Sequence, residues 1–162
     1  MSEAFEFQIR RGKITDLQAV LDLIRELAIY EKCPNEVTLT IEQLEQDGFG
    51  NAPAYLLWVA EVAEEVVGLA LCYPKYSTWK GRCLYLEDLV VKEEFRGKGL
   101  GGALFKEVAT FSANVGMARL EWQVLDWNEP AIRFYESLHA HLDSEWVNCR
   151  LTGESLTRYA SI

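Results

Sequence analysis

The alternation of apolar and polar residues predicts a chain that begins with a strand and continues into a helix. Over Phe5 to Ile9, apolar and polar residues alternate, which is the period-two pattern of a half-buried strand. From Thr15 to near Tyr30, the apolar residues recur on one face at helical spacing. Thr15 and Gln18 have the spacing of a capping box, which places the start of this helix at Thr15.

A second capping box and an acidic turn mark the next three elements. Thr40 and Gln43 precede a short helix predicted over Ile41 to Asp47, which the glycines that follow can end. Tyr55 to Glu61 and Val66 to Tyr73 are two β-rich runs joined by an acidic turn. Such a pair predicts an antiparallel hairpin.

The second half of the chain predicts further strands around two helices. Leu84 to Val91 is apolar enough for a central strand, and Arg119 to Leu125 and Trp146 to Leu151 are also β-rich. Helical periodicity runs over Gly99 to Val115 and over Glu129 to Leu138, and Asn128 can cap the second of these helices. We therefore expect an α/β fold in which a mixed sheet carries helices on both faces.

Length and composition favour one self-supporting domain. No linker, repeat or charge block divides the 162 residues, so we assign 1–162 to a single domain. Apolar residues make up 49% of the chain, which argues against disorder. Asp and Glu outnumber Lys and Arg by 25 to 16, giving a net charge of −9. This acidity disfavours nucleic-acid binding and suits a cationic partner, although it also serves solubility alone.

The cysteines and the apolar stretches predict neither a metal site nor a membrane protein. The four cysteines are 39, 11 and 66 positions apart, a spacing that favours neither zinc binding nor a disulfide framework. The first residues lack the basic region of a signal peptide, and the uncharged apolar run Val66 to Tyr73 is far shorter than the ~20 residues that span a bilayer. We expect a cytoplasmic protein.

The glycine-rich segment Arg96 to Gly102 lies between a predicted strand and a predicted helix. Its glycines let several backbone N–H groups point into one concavity, and the helix N-terminus adds partial positive charge. Arg96 and Lys98 reverse the sign of the acidic chain locally, so the turn predicts an anion site. A P-loop requires a Ser or Thr directly after its lysine, whereas Gly99 follows Lys98 here. The spacing of the glycines also differs from that of a dinucleotide fingerprint. An ordinary tight turn stays the alternative.

Several motifs in the same order resemble one family. The run from Leu89 to Gly101 is similar to the R-x-x-G-x-G/A pyrophosphate loop of the GNAT superfamily of N-acetyltransferases. Its diamine acetyltransferase branch, which contains spermidine/spermine and thialysine acetyltransferases, resembles this chain over Asp47 to Gly50, Ser77 to Arg82, Tyr85 to Leu89 and Leu125 to Tyr135. The resemblance implies a mostly antiparallel sheet of six or seven strands with splayed central parallel strands.

The same resemblance implies acetyl-CoA as the donor and a primary amine as the acceptor. The donor would lie where the strands Leu84 to Val91 and Arg119 to Leu125 splay apart, with an amide near Leu89 or Val91 on the thioester carbonyl. The residues carried over as cofactor contacts are Leu89, Val90, Val91, Arg96, Gly97, Lys98, Gly99, Leu100, Gly101, Gly102, Asn128 and Tyr135.

Two proton transfers define the candidate catalytic residues. An alkyl ammonium of pKa about 10.4 must lose a proton before it attacks a thioester, and Glu87 is the candidate base, directly or through water. Asp88 would bind the ammonium, but adjacent strand residues face opposite ways unless a bulge intervenes. Tyr135 matches the general-acid tyrosine of the family, because a phenol of pKa about 10 can protonate a leaving thiolate. Each of the three could instead serve structure alone.

The residues implied for the amine combine carboxylates with aromatic rings, which suit an aminoalkyl chain or a polycation. They are Tyr30, Glu31, Trp79, Glu87, Asp88 and Trp146. Polyamine-specific members carry an acid at the position of Ser77, whereas thialysine-type relatives have serine there, so Ser77 weakens the case for spermidine or spermine. His139 replaces a family glycine, and we expect it to accept a left-handed cap.

The leading hypothesis is therefore an N-acetyltransferase that acts on a small diamine, polyamine or aminoalkyl amino acid by direct transfer in a ternary complex. One alternative is acetylation of protein or peptide amines. A second is a CoA-binding regulatory module without turnover, and a third is an interaction protein that binds no small molecule. The resemblance further implies a homodimer.

Overall fold

The computed structural model describes residues 5–160, and within them the chain forms a five-stranded sheet in the order β1-β2-β3-β4-β5. The strands are β1 (Gln8–Arg11), β2 (Leu56–Val62), β3 (Glu65–Ser77), β4 (Gly81–Val91) and β5 (Leu120–Glu121). The helices are α1 (Leu17–Tyr30), α2 (Ile41–Phe49), α3 (Leu100–Asn114), α4 (Glu129–Ser137) and α5 (Gly153–Ala160). Strands β1 to β4 pair antiparallel, and β5 pairs parallel with β4.

The chain divides into two compact units. The first, Met1–Gln123, holds the sheet and α1 to α3, and the second, Val124–Ile162, holds α4 and α5. The assignment of residues 1–162 to one domain stays a prediction beside this division. Within residues 5–160, every helix falls short of the length and apolar character that crossing a bilayer requires.

The sheet of the first unit separates two apolar cores, because alternate residues of each strand face opposite sides. Helices α1 and α2 pack on one side, against a set that includes Leu57, Val59, Leu69 and Val90. Helix α3 packs on the other side, against a set that includes Trp58, Ala70, Leu84 and Leu86. The predicted arrangement of helices on both faces is confirmed.

Helix α2 is held at both ends by contacts that the sequence encodes. The predicted capping box is confirmed: the Thr40 hydroxyl accepts from the Gln43 amide at 3.2 Å, and the Gln43 side chain accepts from the Thr40 amide at 3.0 Å. In the last turn, Gly48 leaves room for the ring of Tyr55, which a Cβ at this position would approach to 2.2 Å. The Tyr55 hydroxyl donates to the Leu44 carbonyl at 2.6 Å.

The predicted hairpin of β2 and β3 is confirmed, and β3 is longer than predicted. Ala63 and Glu64 form the turn, both with positive φ (48° and 66°), a combination that suits the tight twist of a two-residue hairpin loop. Strand β3 continues past the predicted end at Tyr73 as far as Ser77, because β4 pairs with it over that whole length.

Two predictions near the N-terminus are wrong. Strand β1 begins at Gln8 rather than at Phe5, and α1 follows a 3-10 turn instead of starting at a Thr15–Gln18 capping box. Asp16 is the N-cap residue of α1 but its side chain makes no capping bond to that helix: its carboxylate accepts from the Lys13 amide at 2.7 Å and from the Arg10 guanidinium at 2.7 and 2.9 Å. A buried, paired carboxylate outweighs an exposed capping box.

The predictions for the last strands are also wrong. The strand expected over Arg119 to Leu125 is reduced to Leu120–Glu121, and residues Trp146 to Leu151 form no strand but an exposed irregular segment before α5. The described sheet therefore has five strands instead of six or seven, and its parallel pair lies at the edge instead of the centre. A β-rich sequence becomes a strand only where another backbone pairs with it.

Candidate active site

The glycine-rich turn leads directly into α3 and has the backbone conformation that its sequence predicts. Gly97 and Gly99 have φ of 72° and 89°, a left-handed region that favours glycine, and Gly99 caps α3. A Cβ built on Gly97, Gly99 or Gly102 would meet no atom within 4 Å, so the turn is open on the side where these side chains would lie. A ligand can therefore approach the backbone closely.

The amides of this turn are available to a ligand. None of the N–H groups of residues 97–102 donates to an acceptor within the described part of the chain. Three of them, at Leu100, Gly101 and Gly102, belong to the first turn of α3, where the helix supplies no acceptor and carries partial positive charge. This arrangement fits the oxygens of a diphosphate.

Two cationic side chains flank the turn, and protein groups hold both in place. Arg96 donates from Nε to the Val91 carbonyl at 2.9 Å, and its guanidinium lies 5.5 Å from the ring centroid of Tyr30 at the end of α1. Lys98 Nζ lies 5.1 Å from the ring centroid of Phe95. Positive charge is thus fixed beside the open amides.

Strands β4 and β5 separate soon after they meet. Their parallel pairing covers two residue pairs, Leu84 with Leu120 and Tyr85 with Glu121, while β4 continues for six further residues to Val91. Beyond Tyr85, this edge of β4 therefore leaves the ladder with β5. The splay that the resemblance implies would lie along this edge of β4.

The backbone groups of Leu89 and Val91 point to the open edge of β4. Lys92, just after β4, donates its amide to the Val67 carbonyl of β3 at 2.8 Å, so the amide of the preceding residue, Val91, points the other way. The same alternation applies to Leu89. Val90 differs, because its side chain is buried in the core under α1. This side chain is therefore not available for the cofactor contact that the resemblance implies.

A bulge brings the two acids of β4 to one face. The register pairs Leu71 with Asp88 but the next residue, Cys72, with Leu86, which leaves Glu87 as the extra residue. Leu86 faces the core under α3, and Leu71, opposite Asp88, packs on the core under α1. Glu87 and Asp88 therefore both face the α1 side of the sheet. The sequence alone did not decide whether they share a face.

A third carboxylate joins them from the end of α1. Burial, followed by the charges of Glu87 and Glu31 in that order, raises the pKa of Asp88 to about 6. Burial also raises the pKa of Glu31, which caps the C-terminus of α1. Three mutually repelling carboxylates concentrate negative charge at this point, and a cation that binds there relieves the repulsion.

Two tyrosines extend this face away from the acids, and sequence reasoning missed both. The rings of Tyr73 and Tyr85, opposite each other on β3 and β4, are 5.2 Å apart. Burial raises the pKa of Tyr73, as does the charge of Glu87. Burial, together with smaller contributions from Tyr73, Glu87 and Glu121, raises the pKa of Tyr85 to about 12. Period-two spacing from Glu87 was the signal that could have found Tyr85.

The turn between β3 and β4 holds Trp79. Its side chain is 80% exposed, and Ser77 supports the turn by accepting from the amides of Trp79 and Lys80 at 3.2 Å each. Ser77 thus supports the backbone of this turn. Trp79 stays a prediction as an amine contact.

In the second unit, Tyr135 and Asn128 belong to α4. Asn128 caps the helix, accepting from the Ala131 amide at 3.4 Å, as predicted. Burial raises the pKa of Tyr135 to about 12, so its hydroxyl carries a proton at neutral pH. His139 has a φ of 60°, which confirms the expected left-handed cap. Trp146 is 75% exposed, and its predicted role stays a prediction, as do the roles of Tyr135 and Asn128 toward substrate.

Solved structures with this fold include acetyltransferases. An integron cassette protein from the mobile metagenome of V. cholerae superposes with a TM-score of 0.78 at 25% identity, covering 96% of this chain and 98% of its own. The aminoglycoside acetyltransferase meta-AAC0020 from a soil metagenome has a TM-score of 0.77 at 21% identity, covering 95% and 100%. The architecture is therefore one that acetyltransferases use.

Sequence comparison identifies the family. The model of the acetyltransferase (GNAT) family matches residues 17–140. Thialysine N-epsilon-acetyltransferase of Bos taurus is 42% identical over 94% of this chain and 96% of its own, and that of Caenorhabditis elegans is 36% identical over 88% and 90%. The spermidine/spermine N(1)-acetyltransferase-like protein 1 of Homo sapiens is 34% identical over 93% of this chain and 23% of its own.

The chain therefore belongs to the GNAT acetyltransferase family. It is an N-acetyltransferase, and its relatives are those of the diamine branch that its motifs resemble.

Proposed function

We propose that this enzyme transfers an acetyl group from acetyl-CoA to a primary amine of a small diamine, a polyamine or an aminoalkyl amino acid similar to thialysine. The observation that carries the proposal is the face of β4 on which Glu87, Asp88 and the nearby Glu31 concentrate negative charge. It borders the stretch of β4 that parts from β5. An alkyl ammonium is the cation that an acetyltransferase would draw to such a face.

The donor site would be built from backbone groups. The amides of residues 97–102 would hold the diphosphate, helped by the charge of Arg96 and Lys98, and the amides of Leu89 and Val91 would meet the thioester carbonyl. Asn128 would add a contact from the second unit, as the family resemblance implies. When bound, acetyl-CoA supplies an acetyl group already activated as a thioester.

The acceptor would bind as an ammonium and react as an amine. Asp88 and Glu31 would bind the charged form, with Tyr30, Trp79 and Trp146 as aromatic contacts. Glu87 would take the proton from nitrogen, directly or through one water, before the nitrogen forms its bond to the acetyl carbon. As the carbon–sulfur bond breaks, Tyr135 would deliver its phenolic proton to the leaving sulfur, and the phenolate would be reprotonated by the second proton that the nitrogen loses when the amide forms. No covalent acyl-enzyme is needed.

Two observations favour the thialysine-like end of the acceptor range. The relatives that match over nearly their whole length are named thialysine acetyltransferases. Ser77, where polyamine-specific members have an acid, is occupied with backbone amides and adds no negative charge. A second ammonium on a long polyamine would therefore find one acid fewer.

The experiment is a CoA-release assay with purified protein, acetyl-CoA and a panel of amines: thialysine, lysine, cadaverine, spermidine and a lysine-containing peptide. Turnover of the small amines supports the proposal. Highest turnover on the peptide would favour a protein acetyltransferase, and acetyl-CoA binding without turnover of any amine would favour a regulatory module. Light scattering of the same sample tests the homodimer that the resemblance implies.

A further inference from the structure

A cationic cluster lies on the same face of the sheet as the three acids, beyond the two tyrosines. Lys75 on β3 places its Nζ 3.2 Å from Glu121 Oε2 and 5.4 Å from the ring centroid of Tyr85. Arg119 places Nη2 3.3 Å from the other carboxylate oxygen of Glu121. Glu121 thus forms ion pairs with both cations and keeps Lys75 near the tyrosine by charge, while its Oε2 accepts no hydrogen bond among residues 5–160.

This cluster has more donors than it uses. Two cations share one carboxylate, so its net charge is positive. Arg119 Nε is buried without an acceptor among residues 5–160, and the Lys75 side chain is 43% exposed, which leaves ammonium protons free for a ligand. An anionic group that reached Lys75 would gain a charge-assisted hydrogen bond and compensate the excess charge.

The positions of these residues give the face two ends of opposite charge. Tyr85 pairs with Tyr73 on one side and with Glu121 on the other, so all three lie on the face of Glu87 and Asp88. Asp88 lies three positions after Tyr85, which is at most roughly 10 Å of strand because the bulge at Glu87 shortens it. An extended lysine-length amino acid spans on the order of 8 Å between its side-chain nitrogen and its carboxylate, given bonds of about 1.5 Å.

We propose that Lys75, held by Glu121 over Tyr85, is a specificity-determining residue that binds the carboxylate of an amino-acid acceptor whose far amine lies at Glu87 and Asp88. The same ammonium repels a second cationic group at that position, so it selects against diamines and polyamines. This inference rests on the proposed function, because it assumes that the acids of β4 receive the reacting amine. It narrows the acceptor to an aminoalkyl amino acid.

The test compares two acceptors that differ by one carboxylate, lysine and cadaverine, with acetyl-CoA as donor. We expect the wild type to have the higher kcat/KM for lysine. Lys75→Met and Lys75→Gln should lower the ratio of the two kcat/KM values about tenfold, the effect of one charged hydrogen bond at a partly exposed site. Lys75→Arg should retain the ratio, since it keeps the charge. Lys106→Met removes an exposed lysine of α3, on the other side of the sheet, and should leave the ratio unchanged.

An unchanged ratio in Lys75→Gln, with circular dichroism equal to that of the wild type, would overturn the inference while the proposed function stands. No turnover by the wild type of any amine in the panel described above, thialysine included, would instead overturn the proposed function. In that case calorimetric titration of lysine and cadaverine in the presence of CoA still decides the role of Lys75. Equal loss or equal retention of both affinities in Lys75→Gln would count against it.

Discussion

Glu87 and Asp88 are adjacent in sequence and share one face of β4, because the ladder with β3 steps by one residue between Leu71 and Cys72. Two carboxylates held this close repel each other, which contributes to the raised pKa of Asp88. The bulge therefore creates both the proximity that the proposed mechanism needs and the electrostatic cost that a bound ammonium relieves.

Removing the charge of Glu87 should lower the pKa of its neighbour. In Glu87→Gln we expect Asp88 to titrate below its value of about 6, since one of the two charges that raise it is gone. Carboxyl NMR titration measures this directly, and the same variant should lose about a hundredfold in turnover if Glu87 is the base. Glu107→Gln on α3 is the matched control. An unmoved Asp88 signal would mean that the two carboxylates do not interact.

Asp88 should make the protein less stable as the pH rises. Its pKa is raised from 3.8 to about 6, so between these values the folded state binds more protons than the unfolded state, and stability falls as pH increases through this window. The shift corresponds to at most about 3 kcal/mol at pH 7. Urea unfolding from pH 4 to pH 8 should therefore give a flatter profile for Asp88→Asn than for the wild type. Parallel profiles would contradict the raised pKa.

The same titration should appear in amine binding with the opposite sign. Below about pH 6, Asp88 gains a proton and loses the charge that would hold an ammonium, so the KM for the amine should rise as the pH falls. Asp88→Asn should have a high KM at every pH. A KM of the wild type that stays constant between pH 5 and pH 7 would exclude Asp88 from ammonium binding.

The glycine turn can be tested through binding to the folded state. CoA at a hundred times its dissociation constant should raise the unfolding free energy by about 2.7 kcal/mol. Gly99→Ala forces a methyl group into a left-handed conformation at a cost of about 1–2 kcal/mol and should weaken CoA binding. Gly116→Ala carries the same strain at the other end of α3 and should leave CoA affinity intact. An equal loss of CoA affinity in both variants would mean that the glycine turn is not the CoA-binding site.

The hydroxyl of Tyr135 should matter for rate and not for donor affinity. Tyr135→Phe removes the proton that the departing sulfur would take, and we expect a loss of about a hundredfold in turnover. Tyr76→Phe, at an exposed tyrosine of β3, is the control. Calorimetry with CoA should give the same dissociation constant for all three proteins. Wild-type turnover by Tyr135→Phe would remove this residue from the mechanism.

Sequence patterns predicted the parts of this fold that depend on near neighbours. The capping box at Thr40, the helix cap at Asn128 and the glycine-rich turn are each decided within a few residues, and all three appear in the structure. The helix after Thr15 was misjudged at its start because Asp16 pairs with Arg10, which also pairs with Glu61 on β2. A contact across strands cannot be inferred from local spacing.

The candidate site was predictable in its residues and not in its geometry. The acids of β4 stood out as residue types, but their common face depends on the step opposite Leu71, which only the partner strand determines. Tyr73 and Lys75 could not be recognised as site residues from the sequence, because the residues next to them belong to other strands, β4 and β5. The segment Trp146 to Leu151 has strand-forming residues, but a strand also needs a partner backbone.

Strand β4 presents its acids to the side of α1, while Leu84 and Leu86 anchor α3, the helix that follows the glycine turn, on the opposite side. Acceptor recognition would thus draw on side chains of the α1 face, whereas the hydrophobic support of the donor turn lies on the other face of the sheet. Substitutions on the α1 side can alter which amine is accepted without disturbing the hydrophobic support of the turn. Such a division allows related enzymes to change the nucleophile that they accept through a few substitutions, while all of them keep CoA as the acyl carrier.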